Sequence, residues 1–391
     1  GASGSLYAPG VFRSSAPSSA PPIFRVPGGA RRPQQLIDLD IRQRAAASPE
    51  ALLQILNEAL PHFDAANSVV AFTCAAKLDD GRDMSLLEGS PAWAALQERL
   101  ERCAETLEPR GMSMVAYAAA KLKCAGAGLL RGLALVGARR AADFGATDVA
   151  KGCWAFAKLR FVEGGAAQEF WRAMLPEACR TVRQSRFADV SMMAWAFATT
   201  DLGSEKLFSE IAAATLAACP TLLPRSLAGI SWAFARAGHR DAGLFAAIAE
   251  CTMRSVGEFV AHDVCAISWG FAAAGVADRR LFEALAEHAL SKGLVRRLSP
   301  PLAAELAWGF AAAGVRHAPL FAELESLCLS HAEEMETEDA AVFAWAFTAA
   351  GMSDSRVFRV LAAYADRFEG RLRPGEADVM AWALAEAQVH A

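Results

Sequence analysis

Long cationic side chains recur at one register of this 391-residue chain. Counted from the aromatic position of a repeated Trp-Ala/Gly-Phe motif, the fourth residue on is Lys77, Lys121, Lys158, Thr199, Arg236, Ala273, Ala312, Ala349 and finally Glu386. Lys151, three residues before Trp154, falls on the same helical face as Lys158, because steps of three and four residues keep side chains aligned. A cation offered once per structural unit is chemistry for an anionic polymer: each ammonium or guanidinium neutralises a phosphate and releases a counterion, so binding weakens with salt. Selectivity needs neutral polar neighbours, here Thr199 with Ser191 and Ser113. The candidate residues for contacting such a polymer are therefore Lys77, Lys121, Lys151, Lys158, Thr199 and Arg236. The competing reading is a row of solvated lysines with their stems laid along an apolar groove.

Other chemistry lacks its residues. The chain contains no phosphate-binding glycine loop, no dinucleotide fingerprint, no nucleophile-elbow serine motif and no His-Glu-x-x-His. The acid pairs Asp79-Asp80 and Glu333-Glu334 sit in loop-like or helix-end contexts and read as solvated charge. Nine cysteines, none in Cys-x-x-Cys spacing, and seven scattered histidines suggest small core residues and no metal site. No enzyme, no catalytic residue, no metal and no cofactor are expected.

The elements that must position the cations follow from the repeat. The motif tryptophans are Trp154, Trp195, Trp232, Trp269, Trp308, Trp345 and Trp382, separated by 41, 37, 37, 39, 37 and 37 residues. Tyr117 stands 37 residues before the first of them, and Thr73 takes the same register 44 residues earlier. Each unit reads as two helices. Asp148, Asp189, Ser226, Asp263 and Asp339, six residues before their Trp, are expected to cap the first helix. Gly238, Gly275, Gly314 and Gly351, six residues after it, are expected to end that helix in the left-handed conformation. Ser204, Asp241, Asp278 and Asp354 are expected to cap the second helix, which carries Phe208, Phe245, Phe282, Phe321 or Phe358 thirteen residues after the Trp. Trp and the Phe two places later imply a first helix buried over a broad arc. The fold class predicted is all-α, an α-solenoid of about eight to nine two-helix repeats of roughly 37 residues, in which no unit can bury its aromatic residues alone.

Composition agrees. Hydrophobic residues make up 54% of the chain and aromatic residues only 9%, which suits close-packed Ala-rich helices more than sheets. No uninterrupted apolar run approaches the roughly 20 residues of a membrane span. Net charge is -4, with a basic stretch over 121–187 and an acidic balance beyond residue 188. Residues 1–45 read as a disordered Arg/Ser/Pro-rich leader, since 1–35 hold four Arg, six Ser, six Pro and no acid, a composition that also suits an organellar targeting segment. Residues 46–391 are assigned to the solenoid.

A 37-residue unit reading Asp-x5-Trp-Ala-Phe-Ala-x-Ala-Gly, followed by Leu-Phe-x-x-Ile-Ala, resembles the octotricopeptide and heptatricopeptide repeat proteins of algal and alveolate organelles, most clearly from Asp189 to Gly351. The resemblance implies an α-solenoid that binds organellar RNA, in a mitochondrion before a plastid, as a free RNA factor or a ribosome-associated subunit. Single-stranded or ribosomal RNA is the implied partner. In the resembled repeat a polar residue, often Asn, precedes the Trp by three. Here that position holds Met114, Lys151, Met192, Gly229, Ala266, Glu305, Val342 and Val379, which argues against one base read per repeat. The alternative is a protein-interaction scaffold or structural subunit of a large organellar complex, its partners meeting the acidic C-terminal half.

Overall fold

The computed structural model describes residues 33–45, 47–78, 84–123, 126–367 and 370–387. Among them there is no strand, and the α-helices in chain order are α1 (Pro33–Asp40), α2 (Pro49–Ala59), α3 (Ala65–Leu78), α4 (Ser85–Glu88), α5 (Pro91–Cys103), α6 (Pro109–Leu122), α7 (Ala127–Arg139), α8 (Ala146–Lys158), α9 (Gly165–Thr181), α10 (Phe187–Thr200), α11 (Glu205–Ala218), α12 (Pro224–Arg236), α13 (Ala242–Ser255), α14 (Ala261–Ala273), α15 (Arg279–Ser291), α16 (Pro300–Ala312), α17 (Ala318–Ser330), α18 (Thr337–Ala349), α19 (Val357–Arg367) and α20 (Pro374–Glu386). The Trp-bearing helices α8 to α20, even-numbered, continue a layer begun by α3 and α6, each packed along the next, and the odd-numbered helices from α5 to α19 form a second, looser layer. This is the expected all-α solenoid, and no described helix is long and apolar enough to cross a membrane.

The interface between repeats is aromatic. Phe234, Phe271, Phe310 and Phe347, two residues after their Trp, are fully buried and each meets edge-on the Phe of the preceding second helix: Phe208–Phe234 at 5.2 Å, Phe245–Phe271 at 5.0 Å, Phe282–Phe310 at 5.0 Å and Phe321–Phe347 at 5.3 Å. Edge-to-face rings match a positive rim to a negative face, so each pair adds about 1 kcal/mol to its burial. The long 41-residue step lengthens α9, and Trp171 of that helix takes the equivalent place against Phe197 at 5.4 Å. A close approach fixes the residue after Trp at two positions. A methyl on Gly270 would lie 2.9 Å from the Ser231 backbone, and one on Gly309 would lie 3.0 Å from the Ser268 backbone.

The turns follow the repeat. Gly238, Gly275, Gly314 and Gly351 adopt φ of 74°, 74°, 68° and 67°, as expected, and in the earlier repeats Lys123, Arg160 and Asp201 hold the same register with φ of 52°, 53° and 56°. The next residue closes the turn by donating its N–H to the carbonyl of the buried Phe, as Phe161 does to Phe156 and Val276 to Phe271, both at 2.9 Å.

Three expectations are corrected. The residues six before Trp are not caps: α8, α10, α12, α14 and α18 start earlier, which puts Asp148, Asp189, Ser226, Asp263 and Asp339 third in their helices. There Asp263 and Asp339 accept the backbone N–H of Val260 (3.5 Å) and Glu336 (3.3 Å), still within reach of the positive helix end. Ser204, Asp241 and Asp278 do cap their helices, but Asp354 does not; Ser355 accepts the Val357 N–H at 3.2 Å in its stead. Finally, the leader ends sooner than residue 45. Residues 33–45 are helical, and Ile37 and Ile41, one turn apart, bury themselves against the first repeat, where α1 and the short helix at 41–45 meet α3. The rest of the expected leader, residues 1–32, lies outside the described residues.

Candidate nucleic-acid interface

The motif tryptophans from Trp154 to Trp345, expected in the core, are half-buried and form a continuous ladder across the first-helix layer, while Trp382 is exposed. Successive rings lie 4.9 Å (Tyr117–Trp154), 6.2 Å (Trp154–Trp195), 6.4 Å (Trp195–Trp232), 5.6 Å (Trp232–Trp269), 6.0 Å (Trp269–Trp308) and 6.1 Å (Trp308–Trp345) apart. The helix gives the reason. Phe, two residues on, points some 200° away, so only one ring of each pair can face the second-helix layer, and Phe takes it. The indoles are left to shield one another, and their outer edges floor a groove.

The groove walls come from positions seven, four and three before the Trp and four after it. Its basic stretch, about 440 Å³, is lined by Trp154, Lys158, Trp195, Arg225, Trp232 and His262, with Ser191 and Met192 between them. Further along, a second stretch of about 540 Å³ is lined by Trp269, Pro301, Glu305, Trp308, Glu338 and Val342. Glu305 lines both and marks where the groove changes sign.

Of the residues proposed from sequence, Lys158 reaches this groove, its Nζ 6.0 Å from the Trp195 ring centroid. Lys151 stands equally far, 6.0 Å, from the Tyr117 ring one repeat back. Both distances suit a cation held over an aromatic face. Lys77 and Lys121 are exposed, and neither they nor Lys151 and Lys158 form an ion pair among the described residues. Arg236 is paired with Asp201 at 3.3 Å, and the Thr199 hydroxyl is buried without a hydrogen-bond partner, so these two do not extend the row in the same way. The loop arginines are engaged elsewhere. Arg140 donates to the Leu107 carbonyl at 2.7 Å and Arg180 to the Phe144 carbonyl at 3.3 Å, while Arg183 pairs with Glu210 and Arg186 with Asp189. The paired cations of the basic middle, Arg139, Arg140, Arg180, Arg183 and Arg186, are thus engaged away from the tryptophan ladder, beside which Lys151 and Lys158 form no ion pair among the described residues.

Arg225 and His262 went unnoticed in the sequence. The signal that could have found them is the position seven before Trp, two helical turns back on the same face. Carboxyl groups in the groove are affected by burial, which pushes Asp263 and Asp339 above the usual carboxylate range and Glu305 up to about 7. Buried thiols shift the same way, Cys328 to about 12, which leaves it an unreactive packing residue; Cys124 lies outside the described residues.

Residues 167–367, just over half of the chain, match the family model of the RNA-editing substrate-binding complex 6 protein. No curated protein matches the chain at a significant level.

Proposed function

The chain belongs to the RNA-editing substrate-binding complex 6 protein family, and from that premise we propose that it is a non-catalytic RNA-binding solenoid of a multiprotein RNA-processing assembly. One observation carries the reading: two unpaired lysines of a single helix, α8, reach along the aromatic ladder in both directions, Lys151 to Tyr117 of the preceding repeat and Lys158 to Trp195 of the following one, at the mouth of a groove that continues past Arg225 and His262. The cations hold a phosphate backbone and the indole edges offer apolar contact to unpaired bases, so single-stranded RNA fits better than a duplex. The octotricopeptide-like register of the motif supports the finer assignment to organellar RNA, and the Arg/Ser-rich composition of residues 1–35 supports an organelle, a mitochondrion before a plastid. Whether as a free factor or within a ribosome, the same face would meet RNA.

The test is binding of a fluorescent single-stranded RNA pool at two salt concentrations, with a Lys121/Lys151/Lys158→Glu variant alongside. Salt-sensitive binding that the variant loses is the expected result. A folded wild type that ignores RNA, or a variant that binds undiminished, overturns the reading. The scaffold reading keeps one specific support, the acidic second stretch of the groove.

A further inference from the structure

We propose that the second stretch of the tryptophan groove receives arginine side chains from an extended basic segment of a partner protein, with Glu305 as the anchoring carboxylate. The inference is independent of RNA lying on the basic stretch. Trp269 and Trp308, with Pro301, Ala304 and Val342, make an apolar trough of about 540 Å³, and no lining residue there is basic. Glu305 sits in this trough, mostly buried, and makes no hydrogen bond or ion pair among the described residues. Its neighbours differ in this respect. Glu338 is paired with Arg373 at 2.8 Å, and Asp263 and Asp339 are tied to their own helix ends.

Charge complementarity selects the occupant. A phosphate backbone would meet Glu305, Glu336 and Asp339, and Arg373 at the rim is already held by Glu338 and Glu376, whereas a guanidinium meets carboxylates at the rim and indole below. Planarity selects arginine over lysine, since a flat guanidinium lies on an indole while its fork of N–H groups reaches a carboxylate. Burial without a partner explains why the Glu305 carboxyl holds its proton to about pH 7. An arriving guanidinium would reverse that preference, so binding is expected to strengthen as pH rises from 6 to 8. The titratable and charged groups that share the groove with Glu305 are Lys158 of α8, Arg225 of α12, His262 and Asp263 of α14, and Glu336, Glu338 and Asp339 of α18, and the buried Cys265 thiol of α14 lies near enough to feel its charge.

The experiment uses the full chain and a fluorescent synthetic peptide of alternating Arg and Gly, with an otherwise identical Lys-Gly peptide as comparison. Expected are binding of the arginine peptide, about tenfold weaker binding of the lysine peptide, and about tenfold weaker arginine-peptide binding by Glu305→Gln, a near-isosteric change whose thermal midpoint is measured in parallel. Lys158→Glu, on the other stretch, should leave peptide binding no weaker. Equal binding by wild type and Glu305→Gln overturns the proposal. So does equal affinity for the two peptides, or a Glu305→Gln effect confined to RNA binding, which would make RNA the occupant.

Discussion

The repeats before and after Gly238 share one core and present opposite surfaces. In the earlier repeats the residue four after the aromatic position is Lys77, Lys121, Lys158, Thr199 or Arg236, and the left-handed turn is held by Lys123, Arg160 and Asp201. In the later ones the same places carry Ala273, Ala312 and Ala349 and the glycines at 275, 314 and 351. The buried rings do not change: Phe156 and Phe271 are equally enclosed, at 2% and 0% exposure, though their neighbours differ. Packing therefore constrains two rings per unit, and the groove positions are free to diverge into a basic and an acidic stretch. The earlier repeats tolerate side chains at a backbone geometry that favours glycine, at about 1 kcal/mol each, and two of the three residues kept there are cationic.

The largest expected effect tests the common core. Phe170→Ala and Phe245→Ala should each lower stability by about 3 to 5 kcal/mol in denaturant titration, while half-buried Trp232→Ala should lose about 1 to 2 kcal/mol. A small loss at Phe170 alone would show that the halves are not packed alike. Next, reversing Lys121, Lys151 and Lys158 to Glu should weaken single-stranded RNA binding about a hundredfold in low salt, whereas Glu at Ala273, Ala312 and Ala349 should change it less than about threefold. Similar losses from both sets would erase the functional difference between the stretches.

Glu305→Gln sharpens the comparison through pH. Because the folded protein raises this carboxyl to about 7 from an ordinary value near 4.5, the native state carries a penalty for the ionised group at alkaline pH that falls away as pH drops through 7. The amide should therefore stabilise the protein by about 2 kcal/mol at pH 8 and by almost nothing at pH 4.5, read as thermal midpoints in matched buffers. Gly270→Ala follows at about 1 to 2 kcal/mol of destabilisation, since its methyl meets backbone, while Ala233→Gly in the preceding repeat should cost only about 1 kcal/mol by loosening its helix. The smallest pair is Gly314→Ala, destabilising by about 1 kcal/mol, and Arg160→Gly, neutral to stabilising by up to about 1 kcal/mol, compared in the same titration. Opposite signs at one register would confirm that both halves use a single turn geometry.

Much of the fold was legible because its determinants are local and repeated. The spacing of Trp, Phe and Gly names the helices, the turn and the capping Ser204, Asp241 and Asp278 without knowledge of distant neighbours. The errors arose where a choice depends on competition. Asp148 and its equivalents look like caps until the helix is seen to start two residues before them, and residues 33–45 look like leader until Ile37 and Ile41 find the first repeat.

The site was legible only in part. Residue type and register alone determined the two-helix unit, the Phe core and a cationic row with Lys151 and Lys158 in it. The tertiary structure decided that the tryptophans line a groove, that Arg236 is taken by Asp201, and that among the described residues Lys158 stays unpaired and the mostly buried Glu305 has no partner. The physical reason is that a sequence gives the direction in which a side chain leaves its helix, but its burial and its charge partner depend on how closely the next repeat is stacked.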